Sequence, residues 1–398
     1  MRRVFGDVPG AVRPCAEGDE GNIGTPVMRI AEIAPMYEAV PPAGYGGTER
    51  VISALTDQLV VNGHEVTLFA PGTSQTTAEL VSTTPEPLRS RMTRTQMMEV
   101  APKLHLEMLA AVYERIADFD VIHAHTDVAT LRFAASNPTV PTVVTLHGRL
   151  DLDAAQREFR QYPEVPLVSI SNHQREAVSG LALNWRATVA NGLDLSPYFA
   201  APSVMGEYLC FVGRINREKR PDLAAEVARR SGLPLRVAAK VDPTDVVYYH
   251  DFIEPLFRSH GVDFLGEVFE QDKPDFYASA RATVFPSDWP EPFGLVLIES
   301  LAAGTPVIAL RRGSVPEILE DGVTGFICDD LEGLIAAVER LGEIDPEACR
   351  ASARRFSAEQ MAEGYLDVFD GLLGADVSVT GRSGIPALCA TPEFSLFS

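Results

Sequence analysis

Positive charge is scarce in this chain. Its 34 Lys and Arg face 55 Asp and Glu, a formal net charge of −21. A mean field this acidic argues against nucleic acid, and against an anionic membrane, as bulk electrostatic partners. Long apolar runs are also missing, and none approaches the ~20 residues a membrane span needs. Residues 1–27 lack the hydrophobic core of a secretory signal. The five cysteines, Cys15, Cys210, Cys328, Cys349 and Cys389, include no close pair. That speaks against a disulfide framework or a zinc site, and for a reducing cytoplasm. No short internal repeat is visible.

What is present is apolar substance: 46% of 398 residues, enough for two or three domains with real cores. Residues 1–27 and 374–398, rich in Gly, Pro and polar residues, read as a disordered extension and a tail. Met28 reads as the start of ordered chain. Between them short apolar runs alternate with amphipathic ones, the βα pattern of parallel sheets. Strands are expected at 29–34, 65–70, 120–125, 141–147, 166–171 and 187–191. After a linker at 193–207 they resume at 208–213, 235–240, 262–267, 282–286, 305–310 and 324–329. The first helix is expected over 49–63, capped by Thr48 and closed by Gly63. Others are expected at 244–260, 271–280, 331–342 and 346–371. This divides the chain into two Rossmann-like units, 28–195 and 205–350, with a helix at 351–372 and a cleft between the units. In open α/β sheets ligands sit at the carboxyl ends of strands, and the polar clusters lie just after expected strands.

Four clusters carry chemistry. In "FVGRINREKRPDL", Arg214 and Lys219 stand between a strand and a helix, two cations fit to hold a diphosphate; a solvated basic loop is the other reading. Gly46 and Gly47 let backbone approach an anion at a helix start, or simply turn the chain; they form neither a G-x-G-x-x-G fingerprint nor a Walker loop. His123, His125 and His147 gather at strand ends. His123 and His125 share a strand face, but no carboxylate with clear ligand spacing is evident, so a satisfied core role outweighs zinc. His147, before Gly148, is the better placed for substrate. Finally, "WPEPFGLVLIESLAAG" sets Glu291 among prolines on a loop and Glu299 on a nearly all-apolar helix starting near Gly294. A buried carboxylate needs hydroxyls, cations or backbone donors. The pair either grips an elongated, hydroxyl-rich ligand, or Glu299 ion-pairs internally with Arg311 or Arg312.

E-x₇-E in "EPFGLVLIE", then "AAGTPVIA" and "GSVPEIL…DGVTGF", preceded by "FVGRINREKR", "VANGLD" and the Gly-rich first loop, resemble the retaining glycosyltransferases of family 4, of GT-B fold. The resemblance runs from about Met28 to about residue 370. It implies transfer of a hexose from a nucleotide-sugar to an acceptor hydroxyl with retention, a UDP-sugar being favoured over GDP-mannose, and with no cofactor or metal required. By motif, Arg214 and Lys219 would hold the diphosphate, Glu291 the donor sugar and Glu299 the ribose. Phe293, Gly294 and Leu295 would line the phosphates. Gly46 and Gly47 would close from the other domain, with His147 beside the reacting sugar. The last helix would cross back to the first domain. A soluble small-molecule or saccharide acceptor is expected over a lipid one, although "RSRMTRTQ" (89–96) and a helix over 95–117 are the features a membrane would use. A nucleotide-sugar epimerase and a non-catalytic nucleotide-sugar-binding protein remain alternatives.

Overall fold

A computed structural model describes residues 26–201 and 206–375. The readings of an N-terminal extension and a C-terminal tail fall almost wholly outside them. Among the described residues thirteen strands form two parallel sheets. The first holds β1 (Arg29–Ile33), β2 (Glu65–Phe69), β3 (Glu79–Val81), β4 (Val121–Ala124), β5 (Thr142–Leu146), β6 (Leu167–Ser169) and β7 (Trp185–Thr188), in the order β3-β2-β1-β4-β5-β6-β7. The second holds β8 (Tyr208–Arg214), β9 (Leu235–Lys240), β10 (Asp263–Gly266), β11 (Ala280–Phe285), β12 (Val307–Leu310) and β13 (Gly325–Cys328), in the order β10-β9-β8-β11-β12-β13. Strands such as β5 and β12, Val- and Ile-rich, are buried along their whole length, as sheets covered on both faces require.

Both sheets reverse their strand order once, between β1 and β4 and between β8 and β11. At such a switch point neighbouring loops depart to opposite faces and leave a crevice at the strands' carboxyl ends. The Gly-rich loop and His125 follow β1 and β4. Arg214 ends β8, and the Glu291 loop follows β11. Topology alone therefore gathers the chemical clusters at two crevices.

Several local expectations need correction. The first helix is Gly47–Val61 with Gly46 at its N-cap, so Thr48 lies inside it, while Gly63 closes it at φ 92°. β3 is short and half-exposed, hence without an apolar run to announce it. β7 begins two residues before the expected 187–191 and ends at Thr188, where its pairing with β6 ends. The 244–260 stretch splits into Val246–Tyr248, a π turn at Tyr249–Ile253 and Glu254–His260. The linker contains a short helix, Ser196–Ala200. The final run divides into Pro346–Ala353 and Ala358–Ala375, broken where Ser357 turns extended and bridges Leu193. Gly374 and Ala375 belong to that last helix rather than to a tail. It packs on the first sheet: Tyr365 reaches Thr145 of β5, and Gly364 lies against Val189. The helix Arg94–Glu114, which includes most of the 95–117 segment, turns Ala101, His105, Met108, Leu109 and Val112 into the first unit's own core. Cys210, Cys328 and Cys349 are buried free thiols.

Glu49, in the first turn of the opening helix, is buried, and burial pushes its carboxyl up to about 7 from 4.5. The native state then keeps a proton that the unfolded chain would release. Its contribution to stability is fully present below pH 4.5 and is lost as pH rises through about 7. Glu49→Gln should therefore be the more stable protein at pH 8.5, by about 2–3 kcal/mol in urea unfolding, with the gap closing near the unfolded-state value of 4.5.

Candidate functional site

Glu299 sits in the second turn of the helix Leu295–Ala302 and is almost fully buried. Its partners are not Arg311 or Arg312, which pair with Asp329 and Asp288 on the surface. Arg50, from the opening helix of the first unit, reaches across and bonds both Glu299 and Glu270. Tyr277 donates to Glu299 Oε2 at 2.8 Å, Tyr198 to Oε1 at 3.2 Å, and Lys273 Nζ lies 3.5 Å from Oε1. Burial alone would raise the Glu299 carboxyl. The charges of Lys273 and Arg50, with the Arg50 and Tyr277 hydrogen bonds, overcome that and hold it well below its usual range. Spacing within the motif could not name Arg50, which lies 249 residues away in sequence.

Glu291 stands at the mouth of the second sheet's crevice. Lys219 Nζ bonds its carboxylate, and Trp289 Nε1 donates to the same oxygen at 2.9 Å. Its backbone is fixed by Ser314, whose N–H donates to the Glu291 carbonyl at 3.0 Å. Gly313 makes this possible: at φ 55°, a Cβ there would fall 2.4 Å from Glu291 backbone atoms. Arg214 approaches Asp245 at 3.5 Å, within ion-pairing range but without a hydrogen bond. Phe293 is buried, and Gly294 caps the helix that begins at Leu295. Across the cleft, a Cβ on Gly47 would meet Leu295 at 3.3 Å, so the Gly-rich loop already lies against that helix start. Tyr45 of the loop donates its N–H to Glu267 at 3.1 Å.

The histidines occupy the first crevice. Glu32 and His123 are paired residues on β1 and β4, and His123 faces Val143 on β5. Period-two alternation then puts Glu32, His123, His125, Thr145 and His147 on one face. Glu32 Oε1 meets His123 Nδ1 at 3.0 Å, and Oε2 meets His125 Nε2 at 2.9 Å. His125 Nδ1 meets His147 Nε2 at 2.8 Å. Thr145 Oγ1 links His123 Nε2, at 2.8 Å, to the Tyr365 hydroxyl, at 3.0 Å. The carboxylate missing from the sequence reading is thus Glu32, embedded in "RIAEI". Glu32, His123 and His125 lie close enough together to hold a metal ion. Yet every one of their imidazole nitrogens already faces a hydrogen-bonding partner at 2.8–3.0 Å, so the group is complete as a hydrogen-bonded chain. Asp127, in left-handed backbone at φ 46°, accepts from the His147 N–H at 3.0 Å and so fixes the ring's anchor.

The two crevices meet. A cavity of about 340 Å³ is lined by Gly148, Arg149 and His173 from the first unit and by Trp289, Pro290 and Pro292 from the second. Arg149 lies 5.9 Å over the Trp289 ring and 3.8 Å from Glu218. Nearby, Glu317 of the second unit accepts from the N–H groups of Asn172 and His173, each at 2.8 Å. One cavity is thus lined by Gly148, next to His147, and by Trp289, Pro290 and Pro292, on either side of Glu291, while Glu299 is engaged in the contact between the units. Arg50→Ala would leave Glu299 buried with only Lys273 to balance it. Urea unfolding should register a loss of about 3 kcal/mol, and Arg50→Lys a smaller one.

Among the described residues no helix is long and apolar enough to cross a membrane. Comparison with known proteins assigns both halves. The profile of glycosyl transferases group 1 matches residues 201–356, and that of glycosyltransferase family 4 matches residues 45–191. The D-inositol 3-phosphate glycosyltransferase of Rhodococcus erythropolis is 30% identical, over 81% of this chain and 86% of its own. The phosphatidyl-myo-inositol mannosyltransferase of Mycolicibacterium smegmatis is 28% identical, over 88% and 96%. Among solved structures, AviGT4, a glycosyltransferase involved in avilamycin A biosynthesis, superposes with a TM-score of 0.65 at 23% identity, over 87% and 98% of the two chains. Anabaena HepE in complex with UDP-glucose gives a TM-score of 0.65 at 18% identity, over 86% and 100%. Two facing parallel sheets, switch-point crevices and these matches together make the chain a glycosyltransferase of GT-B fold, belonging to the group 1, family 4 glycosyltransferases.

Proposed function

We propose that the protein is a retaining hexosyltransferase that takes its sugar from a nucleotide-sugar donor, a UDP-sugar in preference to GDP-mannose, and passes it to a hydroxyl of a small-molecule or saccharide acceptor. The observation that carries this reading is the Lys219–Glu291 pair after β8 and β11, on the loop whose Trp289, Pro290 and Pro292 line one cavity with Gly148 beyond β5. A cation bonded to a carboxylate, with the Trp289 indole beside them, is a fit for the junction of a diphosphate and a sugar. Lys219, with Arg214, would take the phosphate oxygens and Glu291 the sugar hydroxyls.

The leaving group is then a nucleoside diphosphate. Two cations and the amides at the start of the helix Leu295–Ala302 supply compensation for its developing charge without calling on a metal. In the proposed step the bond from the anomeric carbon to the phosphate oxygen breaks. The acceptor oxygen bonds to the same face, and its proton passes to the departing phosphate. The network around Arg50 engages the Glu299 carboxylate, so a ribose would take its place there only as Arg50 or Tyr198 yields an oxygen. A relative's naming as a mannosyltransferase makes GDP-mannose the donor to set against UDP-glucose.

Thermal unfolding with UDP, GDP, ADP and their sugars tests the reading. A bound donor raises Tm by mass action, and UDP-glucose is expected to give the largest rise. No rise with any nucleotide would overturn the assignment. Arg214→Ala should weaken nucleotide binding by about 10- to 100-fold, the loss of a hydrogen bond to a charged group. His147→Ala should keep donor binding while turnover falls; a nucleotide-sugar-binding protein without activity would show no turnover in the parent either.

A further inference from the structure

We propose that Glu32 and His125 are positioning residues that hold His147 in a single tautomer, with Nε2 protonated and Nδ1 left bare as a hydrogen-bond acceptor for a hydroxyl in the cleft. The inference rests on the reading of His147 as a group beside the reacting sugar, and it adds what that group can do there.

The argument follows proton by proton. An ionised carboxylate only accepts. Glu32 accepts from two imidazoles, so His125 Nε2, 2.9 Å from Oε2, must carry hydrogen. His125 is buried, and burial together with the neighbouring His123 outweighs Glu32, keeping the ring neutral down to about pH 4. A neutral ring protonated at Nε2 has a bare Nδ1. That atom lies 2.8 Å from His147 Nε2, which must therefore donate. His147 is likewise held neutral by its burial beside His125 and His123, so its remaining nitrogen, Nδ1, carries a lone pair. Nδ1 has no hydrogen-bond partner among the described residues and is not one of the buried polar atoms without a partner. It is the open end of the chain.

The rest of the setting fixes the ring in place. Asp127 bonds the backbone of His147, and the ring packs 5.1 Å from that of His125. At the far end, His123 lies against Tyr365 and Phe369 of the last helix, with ring centroids 4.5 and 5.4 Å away. The chain is thus enclosed at the Glu32 end and open only at His147. A bare Nδ1 accepts the proton of a sugar hydroxyl, whereas the opposite tautomer would donate to that hydroxyl's oxygen and leave its proton without this acceptor. Second-layer partners select the protonated nitrogen of a histidine in this way.

Two measurements on the full chain decide it. Nitrogen-15 NMR of histidine-labelled protein at pH 7.5 should show both His125 and His147 protonated at Nε2; His147 protonated at Nδ1 would overturn the proposal. The second compares His125→Asn with His125→Phe in the slow hydrolysis of UDP-glucose. Asparagine sets an amide oxygen where Nδ1 stood and keeps an acceptor for His147; phenylalanine fills the space without one. His125→Asn should stay within about 5-fold of the parent, while His125→Phe loses about 100-fold in kcat with KM unchanged. Equal kcat values for the two folded variants would sink the idea. If the parent neither binds nor hydrolyses UDP-glucose, it is the donor assignment that fails, and the spectra still decide the tautomer.

Discussion

The arrangement of this molecule depends on one charge, the Glu299 carboxylate, buried where the two units touch. A carboxylate removed from water must be matched by cations and hydroxyls or become protonated. Here the matching groups come from three places: Arg50 on the opening helix, Tyr198 on the connecting segment, and Lys273 with Tyr277 from the second unit. No one unit satisfies it alone. Such an ion pair adds little net stability over apolar packing, but it is directional and costly to leave half-made. It therefore selects the relative placement of the two sheets, and with it the way the Gly-rich loop meets the helix start at Leu295.

The two faces of the cleft are built from different chemistry. The first sheet offers His125 and His147, held neutral by burial, with Glu32 enclosed behind them. The second offers fixed charges, Lys219, Arg214 and Glu291, on loops after β8 and β11. A ligand with a charged end and a hydroxylated end matches that division. Under the proposed function the seven-stranded half would meet hydroxyls alone, and the six-stranded half the diphosphate together with the hydroxyls that Glu291 takes.

How much of this was legible in the sequence varies with distance along the chain. Alternating apolar runs disclosed all but one of the strands, because a strand in a covered parallel sheet is apolar throughout. β3, short and half-exposed, had no such run. The final helix looked continuous because the bridge to Leu193 at Ser357 is a tertiary contact, and the local mark there, Ser357 capping the Gln360 N–H, was passed over. The clustering of Arg214, Lys219, Glu291 and His147 after strands was readable, since it follows from the strand-end rule. Arg50 and Glu32 were not singled out. Both are joined to their partners only by the fold, although Glu32 did carry a signal: an acidic residue inside an apolar strand, the same anomaly that drew attention to Glu299.

The chain passes between the units twice, and the two passages are tied together. Leu193 N–H donates to the Phe356 carbonyl at 3.1 Å, and Ala358 N–H to the Leu193 carbonyl at 3.0 Å. Gly192 sits so close that a Cβ would lie 2.2 Å from the Ser357 carbonyl oxygen. A single covalent connection would let one unit swivel about any direction. Two laced strands behave instead like a strap hinge, stiff to twist and shear and compliant chiefly to bending across their line. Any opening of the cleft would thereby be confined to a narrow family of rotations, so the groups on its two faces would return to the same register on closing.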